Sequence, residues 1–112
     1  MTASTDRRVL TGRHVTLVPL APGHVHELRR IRATPQVTAA WREPEPGWPE
    51  ADDPDTVHYT VLHAGVVRGF VQYAEESDPD YRSASIDLFL DPSVHNRGLG
   101  RDTVATLAAH LF

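Results

Sequence analysis

The stretch that most constrains the fold is residues 83–112, where a strand, a turn and a helix follow one another without a gap. Residues 83–91 (SASIDLFLD) alternate in polarity as a strand does, and Pro92 ends that strand. One face of the strand holds Ile86, Leu88 and Leu90, and the other holds Asp87 and Phe89. After a glycine turn, an amphipathic helix is predicted from about Gly98 to Phe112. Its apolar stripe, expected to face a sheet, is Val104, Leu107, Ala108 and Leu111.

The turn that opens this helix has the features of a phosphate-binding site. Amides in the first helical turn have no helical acceptors, and the helix dipole favours an anion at that end. Gly98 and Gly100 have no side chains that would hold a diphosphate away, and Arg97 and Arg101 flank the amides. Residues 95–101 are therefore a candidate site, although glycines between strand and helix also serve as ordinary turn residues. The chain has neither a P-loop lysine motif nor a GxGxxG fingerprint.

The rest of the chain alternates strand and helix signals around one acidic loop. Residues 1–12 are interpreted as a polar lead and residues 13–112 as one domain. The predicted elements are a strand at Arg13–Leu20, a helix opened by Pro22 and Gly23, a short helix at Gln36–Trp41, and a hairpin of Val57–Ala64 and Val66–Glu75. In the first helix, Arg29, Arg30 and Arg32 are expected mostly on the side facing water. Residues 42–55, rich in proline and acid, are predicted to form a loop.

Composition limits the classes of function. A net charge of -4 and an isoelectric point of about 5.9 disfavour nucleic acid, whose phosphates need a basic face. No apolar run approaches the ~20 residues of a membrane span, and the N-terminus lacks the apolar core of a secretory signal, so we expect a cytoplasmic protein. The chain has no cysteine, and its seven histidines lack metal-ligand spacing, so we expect no metal site.

Residues 86–112, IDLFLDPSVHNRGLGRDTVATLAAHLF, resemble the coenzyme A motif of the GNAT N-acetyltransferase superfamily. That motif is a strand, a loop of the pattern R/Q-x-x-G-x-G/A, and a helix. Both glycines of the loop match, whereas His95 stands where the family has Arg or Gln. The order of elements from Arg13 to Phe112 is also similar to the family. The resemblance implies an α/β (α+β) fold, a mixed and mostly antiparallel sheet flanked by helices, with the C-terminal part missing.

Within the superfamily the chain is most similar to the aminoglycoside 6′-N-acetyltransferases, on GFVQY at 69–73, IDL at 86–88 and RGLG at 97–100. The resemblance implies that acetyl-CoA donates its acetyl group directly to a primary amine. It places the diphosphate on the loop amides and the pantetheine arm beside the strand, paired like an extra strand. Backbone donors there would polarise the thioester carbonyl. The implied coenzyme-binding residues are Leu88, Phe89, Leu90, His95, Asn96, Arg97, Gly98, Leu99, Gly100 and Arg101.

Asp87 is the candidate catalytic residue, as a general base or as a group that orients the amine. It lies in mid-strand among apolar neighbours, next to the position implied for the thioester, and the resemblance puts an aspartate in this strand. The alternative is that Asp87 faces water or caps a neighbouring loop. Both interpretations stay open.

The acceptor is expected to be a small-molecule amine, an aminoglycoside by resemblance. Acidic loops attract a polycation, and aromatic faces suit sugar rings and cations, although acidic loops are commonly only solvated. The candidate substrate residues are Trp41, Trp48, Asp52, Asp53, Gln72 and Glu75. Two alternatives stay open: a GNAT enzyme that acetylates a protein N-terminus or another small amine, and an inactive coenzyme A-binding remnant. The sequence also leaves a homodimer open.

The last residues lie inside an amphipathic helix that lacks a C-cap signal. In the family, a further strand, a helix and more strands follow, together with the tyrosine that usually acts as the general acid. We therefore expect a truncated chain of marginal stability and little activity, with apolar surface left uncovered.

Overall fold

The computed structural model describes residues 8–49, 56–75 and 84–111. Two candidate substrate residues, Asp52 and Asp53, lie outside these ranges. The strands are β1 (Leu10–Thr11), β2 (Thr16–Pro19), β3 (Val57–His63), β4 (Val66–Glu75) and β5 (Ala84–Leu90). The helices are α1 (Val25–Arg32), α2 (Pro35–Trp41) and α3 (Leu99–Leu111), and short 3-10 turns lie at Pro22–His24 and Pro92–Val94. None of the helices described is long and apolar enough to cross a membrane.

The five strands form one antiparallel sheet in the order β1-β2-β3-β4-β5. The predicted α+β fold with a mostly antiparallel sheet flanked by helices is therefore confirmed, and all the pairings among the described strands are antiparallel. The β3–β4 pairing shifts by one residue, because Val61 faces Gly69 while Leu62 faces Val67. This bulge leaves Arg68 without an opposite residue, and such an extra residue bends a strand locally. Gly69, next to it, lies so close to Phe89 and Leu90 of β5 that a Cβ atom there would collide with them.

Each face of the sheet carries its own hydrophobic core, because successive strand residues point to opposite faces. The core under α3 contains Leu17, Tyr59, Val61, Val71, Leu90, Leu99 and Leu107. The core under α1 and α2 contains Leu28, Ile31, Val37, Phe70 and Phe89. The predicted division of β5 agrees with this arrangement, since Leu90 and Phe89 lie in different cores.

The helical stripe predicted for α3 is wrong in part. Val104 is 40% exposed, whereas Leu99, Thr103 and Leu107 are buried. The helix is rotated relative to the predicted stripe because Asp102 is tied to the turn between β1 and β2. Its carboxylate accepts hydrogen bonds from the amides of residues 13, 14 and 15 at 2.7 to 3.1 Å. That contact holds the Asp102 side of the helix against the sheet and turns Val104 outward.

The start of the chain also differs from the prediction. Residues 1–12 were predicted to be a polar lead, but Leu10 is buried and β1 pairs with β2. The strand predicted from Arg13 begins only at Thr16, because residues 12–15 form the turn in which the Gly12 amide donates to the Val15 carbonyl at 2.8 Å. A two-residue strand has too little alternation to be recognised from sequence alone.

Candidate functional site

Strand β5 lies at an edge of the sheet, and in the described part of the chain no further strand pairs with it beyond β4. The Asp91 amide donates to the Arg68 carbonyl at 2.7 Å, which fixes which residues face β4. In an antiparallel pair, the amide and carbonyl groups of successive residues point alternately toward and away from the partner strand. The amide and carbonyl groups of Leu88 and Leu90 therefore point away from β4. Phe89 points its backbone toward β4, so its contribution to this edge is its side chain.

A groove of about 230 Å³ follows this edge, with α2 as its opposite wall. It is lined by Gln36, Val37, Ala40, Trp41, Leu88, Phe89, Leu90 and His95. Most of these side chains are apolar, so the groove suits an extended organic chain better than a charged group. The three β5 residues predicted to bind the coenzyme all line it.

The loop that opens α3 presents unpaired amides next to this groove. Asn96 and Gly98 have positive φ angles of 66° and 76°, and the chain enters the helix at Leu99, which is buried. The Asp102 amide donates to the Gly98 carbonyl at 3.0 Å, so the amides of residues 99–101 precede the first helical bond and have no helical acceptor.

The side chains around these amides leave room for an anion. Gly98 needs a left-handed backbone, and a Cβ atom there would meet open space. A Cβ atom on Gly100 would lie 3.7 Å from Leu90 Cδ1, an ordinary contact, so packing alone does not require glycine at that position. Arg97 and Arg101 are exposed beside the amides. The anion site at residues 95–101 stays a prediction, and free amides beside two exposed arginines are what such a site needs.

Asp91 anchors the turn that leads into the loop through hydrogen bonds and ion pairs of its side chain. This buried carboxylate bonds the Ser93 amide at 3.0 Å and pairs with Arg30 at 2.7 Å and Arg68 at 3.5 Å. Burial raises the pKa of Asp91, but the hydrogen bonds from Ser93 and Arg30 outweigh it, and the pKa falls below its ordinary value. Asp91 thus joins α1, β4 and the turn that leads into the loop. This role could not be predicted from the sequence, because neither arginine is near Asp91 in the chain.

On the α1 and α2 face of the sheet, His58, Gln72 and Asp87 occupy adjacent positions across three strands. Gln72 lies opposite His58 on β3 and opposite Asp87 on β5. The side chain of Asp87 is exposed and, among the described residues, makes no hydrogen bond or ion pair. The two candidates Asp87 and Gln72 are therefore neighbours. The place of His58 in this row depends on strand register, which the sequence pattern alone does not predict.

Trp41 and Trp48, predicted to bind substrate, pack against Phe70 and Phe89 with ring centroids 5.0 to 6.0 Å apart. The guanidinium of Arg32 lies over both indole rings, 5.2 Å from that of Trp41 and 4.5 Å from that of Trp48. The prediction that Arg32 faces water is therefore wrong.

Arg32 is only 7% exposed because the two indoles, from α2 and the loop after it, cover it. Burial lowers the pKa of Arg32, and the nearby charges of Glu43 and Glu45 act in the opposite direction. Among the other candidate substrate residues, the side chain of Glu75 lies outside the described part of the structure.

Three comparisons with known proteins bear on this geometry. The model of the acetyltransferase (GNAT) family matches residues 24–112. A solved structure of AAC(6′)-Ib in complex with paromomycin and acetyl-CoA has the same fold, with a TM-score of 0.70 and 21% sequence identity over 88% of this chain and 67% of that one. No curated protein sequence matches the chain significantly. In the described segments, no group of three or more histidine, aspartate or glutamate side chains could hold a metal ion.

Proposed function

The chain belongs to the acetyltransferase (GNAT) family, and from that premise we propose that it transfers the acetyl group of acetyl-CoA to a primary amine of an aminoglycoside. The observation that carries the proposal is the junction of two surfaces. The open edge of β5, with its apolar groove, runs directly into a loop whose helix-initiating amides lack acceptors. An apolar arm followed by a diphosphate is the chemistry that fits both surfaces at once.

The residues present fit acetyl-CoA at each part of the groove. The amides of residues 99–101, with Arg97 and Arg101, would hold the diphosphate, and Gly100 adds no side chain among these amides. The outward amides of Leu88 and Leu90 would bind the arm and polarise a carbonyl oxygen. When bound, acetyl-CoA supplies an activated acetyl thioester. The groove and the loop together suit a substrate that has a long apolar arm and a charged end.

Asp87 is the residue we propose as general base. It is an exposed carboxylate on the strand whose edge forms the groove, and it lies beside Gln72. An amine at neutral pH is an ammonium ion, and it must lose a proton before its nitrogen can attack a carbonyl carbon. A carboxylate at this place would orient the ammonium and accept that proton, directly or through water.

The aminoglycoside acceptor rests on two supports. The structure of AAC(6′)-Ib that shares this fold contains paromomycin, and Asp87 adds a carboxylate that suits a cationic sugar. One observation favours a second candidate, another small amine or a protein N-terminus. Arg32 lies over Trp41 and Trp48, where a substrate cation would be expected to stack.

The test combines binding with turnover on the purified chain. Acetyl-CoA affinity is measured by calorimetry, and coenzyme A release is followed with paromomycin, with small primary amines and with a peptide bearing a free N-terminus. Gly100→Val is expected to weaken acetyl-CoA binding at least tenfold, because a branched side chain at residue 100 would press on Leu90 and displace the amides of the first helical turn. The matched control, Ala109→Val, places the same side chain at an exposed position near the other end of α3 and should leave affinity unchanged.

The outcomes separate the alternatives. Turnover with paromomycin alone supports the aminoglycoside acceptor, and turnover with the other amines favours the second candidate. Binding without turnover points to a coenzyme A-binding remnant. Acetyl-CoA binding that is absent, or equal in the two valine variants, would contradict the proposed site.

A further inference from the structure

Two side chains form hydrogen bonds with the outward-facing carbonyl groups on the edge of β5. The indole Nε1 of Trp41 donates to the Leu88 carbonyl at 3.2 Å. The imidazole Nε2 of His95 lies 2.9 Å from the Leu90 carbonyl and donates to it when it carries a proton. An extended ligand that pairs with this edge as an added strand needs such carbonyls as acceptors for its own amides. The edge is therefore already capped at both positions.

The two caps differ in how firmly they are held. Trp41 packs against Phe70 and Phe89 and lies under the Arg32 guanidinium, so its indole cannot leave without disturbing a core. His95 is exposed, and among the described residues the bond to Leu90 is the one hydrogen bond of its side chain. Exposed side chains change rotamer in nanoseconds or less. Only the His95 cap is easily removed.

We propose that His95 is a latch on the groove: its imidazole holds the Leu90 carbonyl in the free protein and swings away so that an amide of the pantetheine arm can bond there. This inference rests on the proposed function, because it assumes acetyl-CoA in the groove. The Leu88 carbonyl stays covered by Trp41, so the Leu90 carbonyl is the acceptor that the arm can gain. His95 then competes with the arm for the Leu90 carbonyl and is not a phosphate ligand.

The two possible roles of His95 predict effects of opposite sign. As a latch, His95 competes with the ligand, and removing it should strengthen binding. As a phosphate ligand, which its place in the loop motif suggests, removing it should weaken binding. Losing one competing hydrogen bond changes an equilibrium by about three- to tenfold.

The experiment is calorimetric titration of His95→Ala with two probes, acetyl-CoA and its nucleotide half, 3′-phosphoadenosine 5′-diphosphate. We expect acetyl-CoA to bind about three- to tenfold more tightly and the nucleotide half to bind unchanged. The control His110→Ala removes an exposed histidine near the far end of α3 and should change neither affinity. Circular dichroism of each variant verifies that the fold is retained.

A second measurement uses the wild-type chain. In the ¹⁵N spectrum of the His95 ring, Nε2 should be protonated and hydrogen-bonded in the free protein, and this signal should shift to that of a solvated imidazole when acetyl-CoA saturates the site. A ring signal that stays unchanged at saturation would overturn the latch. So would a His95→Ala variant that binds acetyl-CoA equally or more weakly.

These results also distinguish the latch from the proposed function. Weaker binding of both probes to His95→Ala would overturn the latch and leave the coenzyme site in place, with His95 as a phosphate ligand. If neither the wild-type chain nor the variant binds acetyl-CoA, the proposed function fails and the latch fails with it.

Discussion

Replacement of Asp91 by asparagine tests how the candidate loop is held in place. The Asp91 side chain is 7% exposed and pairs with Arg30 at 2.7 Å and Arg68 at 3.5 Å. Asparagine keeps the shape, and its side-chain oxygen can still accept the Ser93 amide, so Asp91→Asn removes the charge but leaves the turn cap. The variant therefore isolates the ionic part of the interaction.

The expected loss of stability follows from the exposure of the partners. Breaking a fully buried ion pair costs about 3–5 kcal/mol. The Arg30 and Arg68 side chains are 46% and 32% exposed, so water can hydrate the guanidinium groups after the carboxylate is gone. We therefore expect a loss of about 1.5–2.5 kcal/mol, which lowers the melting temperature of a chain of this size by about 6–10 °C.

The effect should depend on pH in a definite direction. The pKa of Asp91 is lower in the folded than in the unfolded chain, so the unfolded chain binds its proton first as the pH falls. The stabilisation by the charge is complete above the unfolded-state pKa of about 3.9 and is lost as the pH falls through the folded-state pKa. The difference between wild type and Asp91→Asn should be full at pH 7 and shrink below about pH 4.

The assay is thermal unfolding followed by circular dichroism from pH 7 down to the lowest pH at which the wild type still unfolds cooperatively. Asp87→Asn is the matched control, because it removes an exposed carboxylate from β5, four residues before Asp91, and should change stability by less than about 0.5 kcal/mol. The reasoning is refuted if Asp91→Asn is as stable as this control at pH 7, or if its deficit stays constant as Asp91 becomes protonated.

Two further predictions concern the framework around the site. Gly69→Ala should destabilise the fold by about 1–3 kcal/mol, because its Cβ atom would collide with the Phe89 carbonyl and the Leu90 side chain. Gly23→Ala is the control and should have little effect, because open space surrounds that position. Equal urea midpoints for the two variants would contradict this prediction. Asp102→Ala should cost about 1–2 kcal/mol by freeing the amides of residues 13–15, and the amides of His14 and Val15 should then exchange faster with solvent. The pKa of Asp102 is lowered, because the hydrogen bonds from those amides outweigh its burial. The stabilisation of the fold by Asp102 should therefore disappear in acid, as the pH falls through the folded-state pKa. Unchanged amide exchange rates in Asp102→Ala would show that other contacts hold the turn.

Local sequence patterns predicted the central part of the fold well. The predicted strand Val66–Glu75 has the same bounds as β4, and the predicted start of α3 lies within one residue of Leu99. Strand alternation, a proline stop and a glycine turn act over a few residues, so they can be identified without knowing what packs on them. The membership of the GNAT family, predicted from the motif at 95–100 and the order of elements, is confirmed by the family model.

Features set by tertiary contacts could not be predicted in this way. Arg32 lies on the polar side of its own helix by sequence pattern, and it is buried only because Trp41 and Trp48 close over it. Val104 follows the helical spacing of a buried stripe, but the contact between Asp102 and the turn at residues 13–15 rotates α3 and exposes it. In both places a partner distant in the chain decides the outcome, and a helical pattern carries no information about that partner.

The candidate site depends both on local sequence patterns and on tertiary contacts. Its residues therefore differ in how far the sequence determines their roles. In the proposed coenzyme site the loop would bind through the amides of residues 99–101, and these depend on a helix start and two glycines, which the chain specifies locally. The groove would bind through the outward backbone groups of Leu88 and Leu90. Whether their carbonyl oxygens are free depends on Trp41, 47 residues away from Leu88, and on the rotamer of His95. His95, in place of the Arg or Gln of the loop motif, leaves the amides of residues 99–101 without a helical acceptor. Its imidazole lies 2.9 Å from the Leu90 carbonyl oxygen instead, and under the proposed latch it would compete for the position that an added strand would use.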